Sequence, residues 1–180
     1  LVRDICSSRT YQRGLANPVN AFDTKNFSHS TIRRIKAEVL LDCISQVTDT
    51  KQKFRRLPIG ARAVEIADGS YSTYFLQIFG RPKRETVCSC EVKMEPTLSQ
   101  ALHLINGETV TRNILKGQYV RRRLLKGKKP LEIVNEIYLR CLCRPMTGSE
   151  REVFARMLKG AKNRRVALED IFWAILNSRE

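Results

Sequence analysis

A mainly α fold is what this amino-acid sequence predicts: a multi-helix single domain over residues 1–180, with an irregular, partly extended insert around residues 50–95. Three observations carry the prediction. Apolar residues recur every three or four positions in five segments, two of which open on a capping box. Between residues 50 and 95 that period disappears, and Pro58, Gly60, Gly69, Gly80 and Pro82 punctuate the chain instead.

Taken in order, the first thirty residues read as a frayed helix followed by a loop, with Asn17-Pro18 and the polar run from Asp23 to Ser30 as turn signals. A helix beginning near Ser30 is predicted by Ile32, Ile35, Val39, Cys43 and Val47, with Leu40 and Ile44 widening the stripe. Inside the insert, Arg62 to Ile66 and Thr86 to Val92 alternate as short strands do, while Tyr74 to Phe79 suits one or two apolar helical turns. Thr97-Leu98-Ser99-Gln100 is a capping box for a helix with Leu98, Ala101, Leu102 and Ile105 on one face, stopped at Asn106-Gly107. Pro130 suits the first turn of the next helix, whose apolar positions are Leu131, Val134, Ile137, Tyr138 and Cys141 and which Pro145 ends. Thr147 to Glu150 is the second capping box, leading into Val153, Phe154, Met157 and Leu158 before Gly160. A last helix, from about Arg165, carries Leu168, Ile171, Phe172, Ile175 and Leu176. Leu40, Leu102, Ile137, Phe154 and Ile171 are the expected core members.

Composition narrows the classes further. At 42% hydrophobic and 28% charged residues the chain has enough apolar material for a core. Its mean hydropathy of −0.33, with no apolar run of about 18 residues, excludes a membrane-spanning helix. The chain opens at Leu1 without a methionine and stops inside an apolar-periodic segment, so it reads as a fragment of a larger multidomain protein.

The order of motifs is more specific than their periods. Arg9-Thr10-Tyr11-Gln12, Asn26-Phe27-Ser28-His29 and the run Arg33 to Asp42 are followed by Phe79-Gly80-Arg81-Pro82-Lys83-Arg84, Cys88-Ser89-Cys90-Glu91, Thr97 to Gly107 and Ala167 to Ser178. This string resembles the C-terminal domain of unknown function, numbered fifteen fifty-three, of large cytochrome-c-associated proteins from planctomycetes and related bacteria. The resemblance implies an extracytoplasmic (periplasmic or cell-surface) setting and an accessory role beside neighbouring domains of the same polypeptide. It also implies that haem c belongs to a preceding N-terminal domain, and none to this stretch, which has no C-x-x-C-H. The family usually shows C-x-C-E-R; here Val92 stands where the basic residue is expected.

Candidate chemistry is sparse. On an extended strand Cys88 and Cys90 would share a face roughly 6 to 7 Å apart, free to share a metal or to pair with other cysteines, and a disulfide involving Cys88 or Cys90 in an oxidising compartment is the expectation. Cys141 and Cys143, two apart on a helix, project about 200° from each other and do not suit one ion. No metal site is expected. His103 reads as a structural histidine, whereas Asp23, Asn26 and His29 form a polar cluster without a packing rationale. Charge is the strongest signal: 33 Lys+Arg against 18 Asp+Glu give +15 and a sequence pI of about 10.0. From Thr109 to Leu131 there are eight cations, Arg112, Lys116, Arg121, Arg122, Arg123, Lys126, Lys128 and Lys129, and no acid. A second acid-free run holds Lys51, Lys53, Arg55, Arg56 and Arg62. Such a field attracts polyanions. An anionic polysaccharide is the expected ligand of Arg112 to Lys129, with the Arg121–Arg123 triplet expected to matter more than Lys51, Lys53 and Arg55. A nucleic-acid-binding module is the alternative, weakened by poor aromatic interleaving. A part of an enzyme whose site is shared with a preceding domain is the other, and catalysis is left open by the sequence, since no G-x-S-x-G, P-loop or H-E-x-x-H is present.

Overall fold

A computed structural model describes residues 1–30, 34–83, 96–106 and 108–178. The fold is mainly helical, and among the described residues there is no β-strand, only an isolated bridge between Leu15 and Ser30. The helices are α1 (Val2–Ser7), α2 (Ala37–Thr48), α3 (Tyr74–Ile78), α4 (Leu98–Asn106), α5 (Glu108–Gly117), α6 (Tyr119–Leu125), α7 (Pro130–Leu142), α8 (Gly148–Gly160) and α9 (Arg164–Leu176). A 3₁₀ turn, Ala63–Glu65, lies between α2 and α3.

Two compact units divide the chain, Leu1–Ile35 and Lys36–Glu180. In the first, α1 leads into a loop closed by its own polar groups. The Ser30 amide and hydroxyl both donate to the Gly14 carbonyl, at 2.9 and 3.1 Å. Asn17 Oδ1 accepts from the Val19 and Asn20 amides, as short amide side chains do in turns.

In the second unit the core lies where α7 and α9 pack together. Ile133, Val134 and Ile137 of α7 and Leu168, Ile171 and Phe172 of α9 are all almost wholly buried. Tyr119 and Val120 of α6 and Val110 and Ile114 of α5 extend this core, and Leu41 and Ile44 of α2 continue it toward Phe54, Phe75 and Leu76. The helix ends follow from local chemistry. Pro130 occupies the first turn of α7, where its missing N–H costs nothing. Thr147 Oγ1 accepts from the Glu150 amide while Glu150 Oε2 accepts from the Thr147 amide, closing the expected capping box of α8. Asn163 Oδ1 caps α9 through the Arg165 and Val166 amides.

Three expectations are corrected. Helix α2 starts at Ala37 rather than near Ser30, and it buries Ala37, Glu38, Leu41, Ile44 and Thr48, while Ile35, Val39 and Cys43 face solvent. Apolar residues line two sides of this segment, and the buried side is the one whose polar members find partners. Residues 62–66 are not strand-like; they form the 3₁₀ turn, because both Asp42 carboxylate oxygens accept from its amides, Ala63 at 2.6 Å and Val64 at 3.2 Å. The apolar stripe of α4 is largely exposed, Leu98 at 75%, Leu102 at 48% and Ile105 at 53%. Its inward residue is Gln100, whose side chain accepts from the Thr97 amide and donates to the Ile78 carbonyl at 2.8 Å. The basic stretch from Arg112 to Lys129, unassigned from sequence, is largely helical as α5 and α6. The proposed strand around Thr86 to Val92, with Cys88 and Cys90, lies outside the described residues.

Candidate functional site: a basic cavity on the second unit

The two acid-free runs, separated by some fifty residues in sequence, meet around one cavity. The seam that joins them is made of neutral polar groups. At the C-terminal end of α2, Thr48 Oγ1 donates to the Ile44 carbonyl at 2.7 Å and lies 3.0 Å from Thr50 Oγ1. Thr50 Oγ1 donates to the Asn113 carbonyl of α5 at 2.8 Å. Gln52 Nε2 spans the same seam, donating to Ser45 Oγ at 2.9 Å and to Asn113 Oδ1 at 3.4 Å. Buried Phe54 anchors the other end of this segment. Lys51 and Lys53 are thereby fixed beside the face of α5 that carries Arg112 and Lys116, neighbours by their (i, i+4) spacing.

The cavity has a volume of about 820 Å³. Four cations border it, Lys51, Lys53, Arg112 and Lys116, with one carboxylate, Glu108, which is ion-paired to Arg112. Among the described residues Lys51, Lys53 and Lys116 have no ion-pair partner. Asn113 also lines the cavity, is 5% exposed, and its Nδ2 has no hydrogen-bond partner among the described residues. On the far wall stand α3 and α4. His103 Nε2 lies 2.9 Å from Thr109 Oγ1, and the imidazole meets the rings of Tyr74, Phe75 and Phe79 edge-on at 5.5 to 6.1 Å. Burial pushes its pKa down, so at neutral pH it adds shape and a hydrogen bond rather than charge. Tyr74 is exposed and presents an aromatic surface at the rim.

The remaining cations of the predicted run are placed differently. Arg122 pairs with Asp49 at 2.9 Å, Arg123 with Glu136 at 3.0 Å, and Lys128 with the other oxygen of Glu136. Arg140 also reaches Asp49, at 2.8 Å, and its guanidinium and that of Arg123 lie over the buried Tyr119 ring, 4.7 and 4.9 Å from the centroid. Burial raises the carboxyl pKa of Glu136, but the Lys128 and Tyr119 hydrogen bonds and the Arg123 charge outweigh it and hold the group below its ordinary value. Acids absent from the run in sequence are thus returned to it by the fold. Among the described residues Arg121 holds only Gln118, at 3.2 Å, and Lys126 and Lys129 extend into solvent.

In the first unit the cluster of Asp23, Asn26 and His29 is a turn. Asp23 Oδ1 accepts from the Lys25 and Asn26 amides at 3.1 and 2.8 Å, and the Ser28 hydroxyl and these amides hold its carboxyl well below the usual range. His29 Nδ1 contacts the Ser30 carbonyl. Two further motif residues prove architectural. Arg81 is buried and pairs with Glu38 at 3.2 Å while donating to the Ile66, Asp68 and Tyr71 carbonyls. Asp42 caps the 3₁₀ turn, as above. Cys141 is half-buried, its thiol pushed up to about 11 by desolvation, and Cys143 is exposed. Among the described residues no three His, Cys, Asp or Glu side chains converge where an ion could be held, and no helix is long and apolar enough to cross a membrane.

The sequence marks Arg112, Lys116, Lys51 and Lys53 as cations of acid-free runs but not their convergence, and no pattern in it singles out Asn113, Gln52 or Tyr74 as site residues. The (i, i+4) spacing of Arg112 and Lys116 was a readable signal; the hydrogen bonds across 61 and 63 positions were not. No curated protein and no solved structure matches the chain. The family described as PSD1, protein of unknown function (DUF1553), matches residues 1–158, a span that includes the whole cavity and stops before α9. The chain belongs to this family.

Proposed function

We propose that this chain is the helical accessory domain of an extracytoplasmic, cytochrome-c-associated bacterial protein, and that it contributes binding of an anionic partner or substrate while any haem c is carried by another domain. The convergence of Lys51 and Lys53 with Arg112 and Lys116 is the observation that carries the binding part of this reading. Four cations within one concavity, facing one carboxylate that is already paired, favour an anion there, because bringing like charges together is offset only by a counter-charge. The cellular setting rests on the resemblance of the motif string. An anionic polysaccharide suits that setting, and poor aromatic interleaving in the basic stretch argues against a single-stranded nucleic-acid platform.

Retention of the full chain on dextran sulfate resin across a salt gradient tests the reading, with duplex DNA resin as the second arm. Retention on dextran sulfate that falls steeply with salt is expected, since binding a regular polyanion releases condensed counterions. Elution at low salt from dextran sulfate would overturn it, and stronger retention on DNA would favour the nucleic-acid module. A full-length gene without a C-x-x-C-H motif and without a secretion signal would remove the extracytoplasmic, cytochrome-associated setting.

A further inference from the structure

We infer that the cavity between α3, α4, α5 and the segment after α2 is a discrete site for a sulfate or phosphate monoester carried on a saccharide ring. This deepens the proposed anion binding, on which it rests, by assigning one pocket and one chemical class to it. Charge alone would define only a surface; three features define a site.

The first is a buried donor. Asn113 lines the cavity, is 95% removed from solvent, and leaves its Nδ2 without a partner among the described residues, although Oδ1 is engaged by Gln52. A buried amide donor with no acceptor is costly, and an ester oxygen would satisfy it. The second is an arrangement of cations from two segments. Lys116 and Arg112 come from one face of α5, and Lys51 and Lys53 come from the segment that Thr50 and Gln52 tie to that helix. Charge-assisted hydrogen bonds from such groups are the strong ones for an oxyanion. The third is size and wall chemistry. At about 820 Å³ the cavity falls in the range of small-molecule sites and far exceeds a bare ion. Beside the cations stand the hydroxyls of Thr73 and Ser99, which can exchange hydrogen bonds with sugar hydroxyls, and exposed Tyr74, against which the flat apolar face of a sugar ring can pack. Glu108, the one carboxylate, is held by Arg112.

Calorimetric titration of the full chain with glucose 6-sulfate, glucose 6-phosphate, glucose and inorganic sulfate tests the inference. At least one sugar ester should bind, about tenfold or more tightly than both glucose and inorganic sulfate, and the tighter of the two esters identifies the anion. Lys116→Met and Tyr74→Ala, both at exposed positions, should each weaken it by about tenfold without moving the thermal unfolding midpoint, whereas Arg121→Met should leave it unchanged. Binding no tighter than inorganic sulfate, or insensitive to Lys116→Met, would overturn the inference. If steep, salt-dependent retention on dextran sulfate survives such a result, the pocket assignment falls and the broader binding reading stands; if retention is also lost, both fall.

Discussion

Arg81 is a cation whose role sequence reasoning could not assign. Its side chain is 1% exposed, and Glu38 with three backbone carbonyls accounts for its donors. Removing it strands a buried carboxylate and leaves carbonyls unpaired, which costs far more than the intact pair contributes. Arg81→Met should therefore lose about 3 to 5 kcal/mol in urea unfolding. Glu38→Gln, which keeps a hydrogen-bond acceptor, should lose less. Glu136 and Glu150 contribute to acid sensitivity, as their carboxyls both sit below the ordinary value of 4.5 in the folded chain, Glu150 chiefly through the Arg144 hydrogen bonds. Depressed folded pKa values mean that the unfolded chain takes up protons first. Their stabilisation is complete above about pH 4.5 and is lost as pH falls through the folded values. Urea midpoints measured from pH 6 down to pH 3 should fall, and Glu136→Gln/Glu150→Gln should flatten that fall. Arg81 and Glu38 stand 43 positions apart, and no local pattern announces such a pair. The Thr147 and Glu150 pair, by contrast, was legible because its reciprocal hydrogen bonds are set by a three-residue spacing.

Helices α7 and α9 were readable because their buried positions repeat at helical spacing and little else competes. Helix α4 was readable as a helix but not in its orientation, since Gln100 and His103 join half-buried Leu104 on its inward side, and the stripe of Leu98, Leu102 and Ile105 faces largely outward. Core substitutions should separate these cases. Ile137→Ala, at a fully buried position, should cost about 2 to 5 kcal/mol, whereas Leu102→Ala should cost well under half of that, contrary to the sequence expectation. Gly117 tests the packing of α5 on α2. Alanine favours helix by up to about 1 kcal/mol, yet a Cβ there would overlap the Thr48 carbonyl oxygen. Gly117→Ala should thus destabilise the chain, by about 1 to 3 kcal/mol, and should also disturb the seam that positions Lys51 and Lys53. Thr147→Ala should cost about 1 kcal/mol from loss of the α8 cap. Chemical denaturation followed by far-UV circular dichroism reads all four.

The fold sets two populations apart among the cations behind the net charge of +15. One is consumed internally: Arg122, Arg123, Lys128 and Arg140 meet Asp49 and Glu136, acids that lie outside the acid-free run. The other is available to a ligand, and Lys51, Lys53 and Lys116 hold it around the cavity. An eight-cation run suggested Arg121 to Arg123 as the centre of binding; two of those three guanidiniums are already paired, so the weight moves to the cavity. Composition revealed the amount of charge, but only tertiary structure reveals how much is neutralised. The decisive measurement compares two triple variants of equal charge change, Lys51→Ser/Lys53→Ser/Lys116→Ser and Arg121→Ser/Lys126→Ser/Lys129→Ser, by titration with dextran sulfate at several salt concentrations. Cavity binding predicts that the first triple loses affinity at least about tenfold more than the second and shows a shallower salt slope, with both unfolding like the parent. Equal losses for the two triples would contradict it, leaving only a diffuse basic surface.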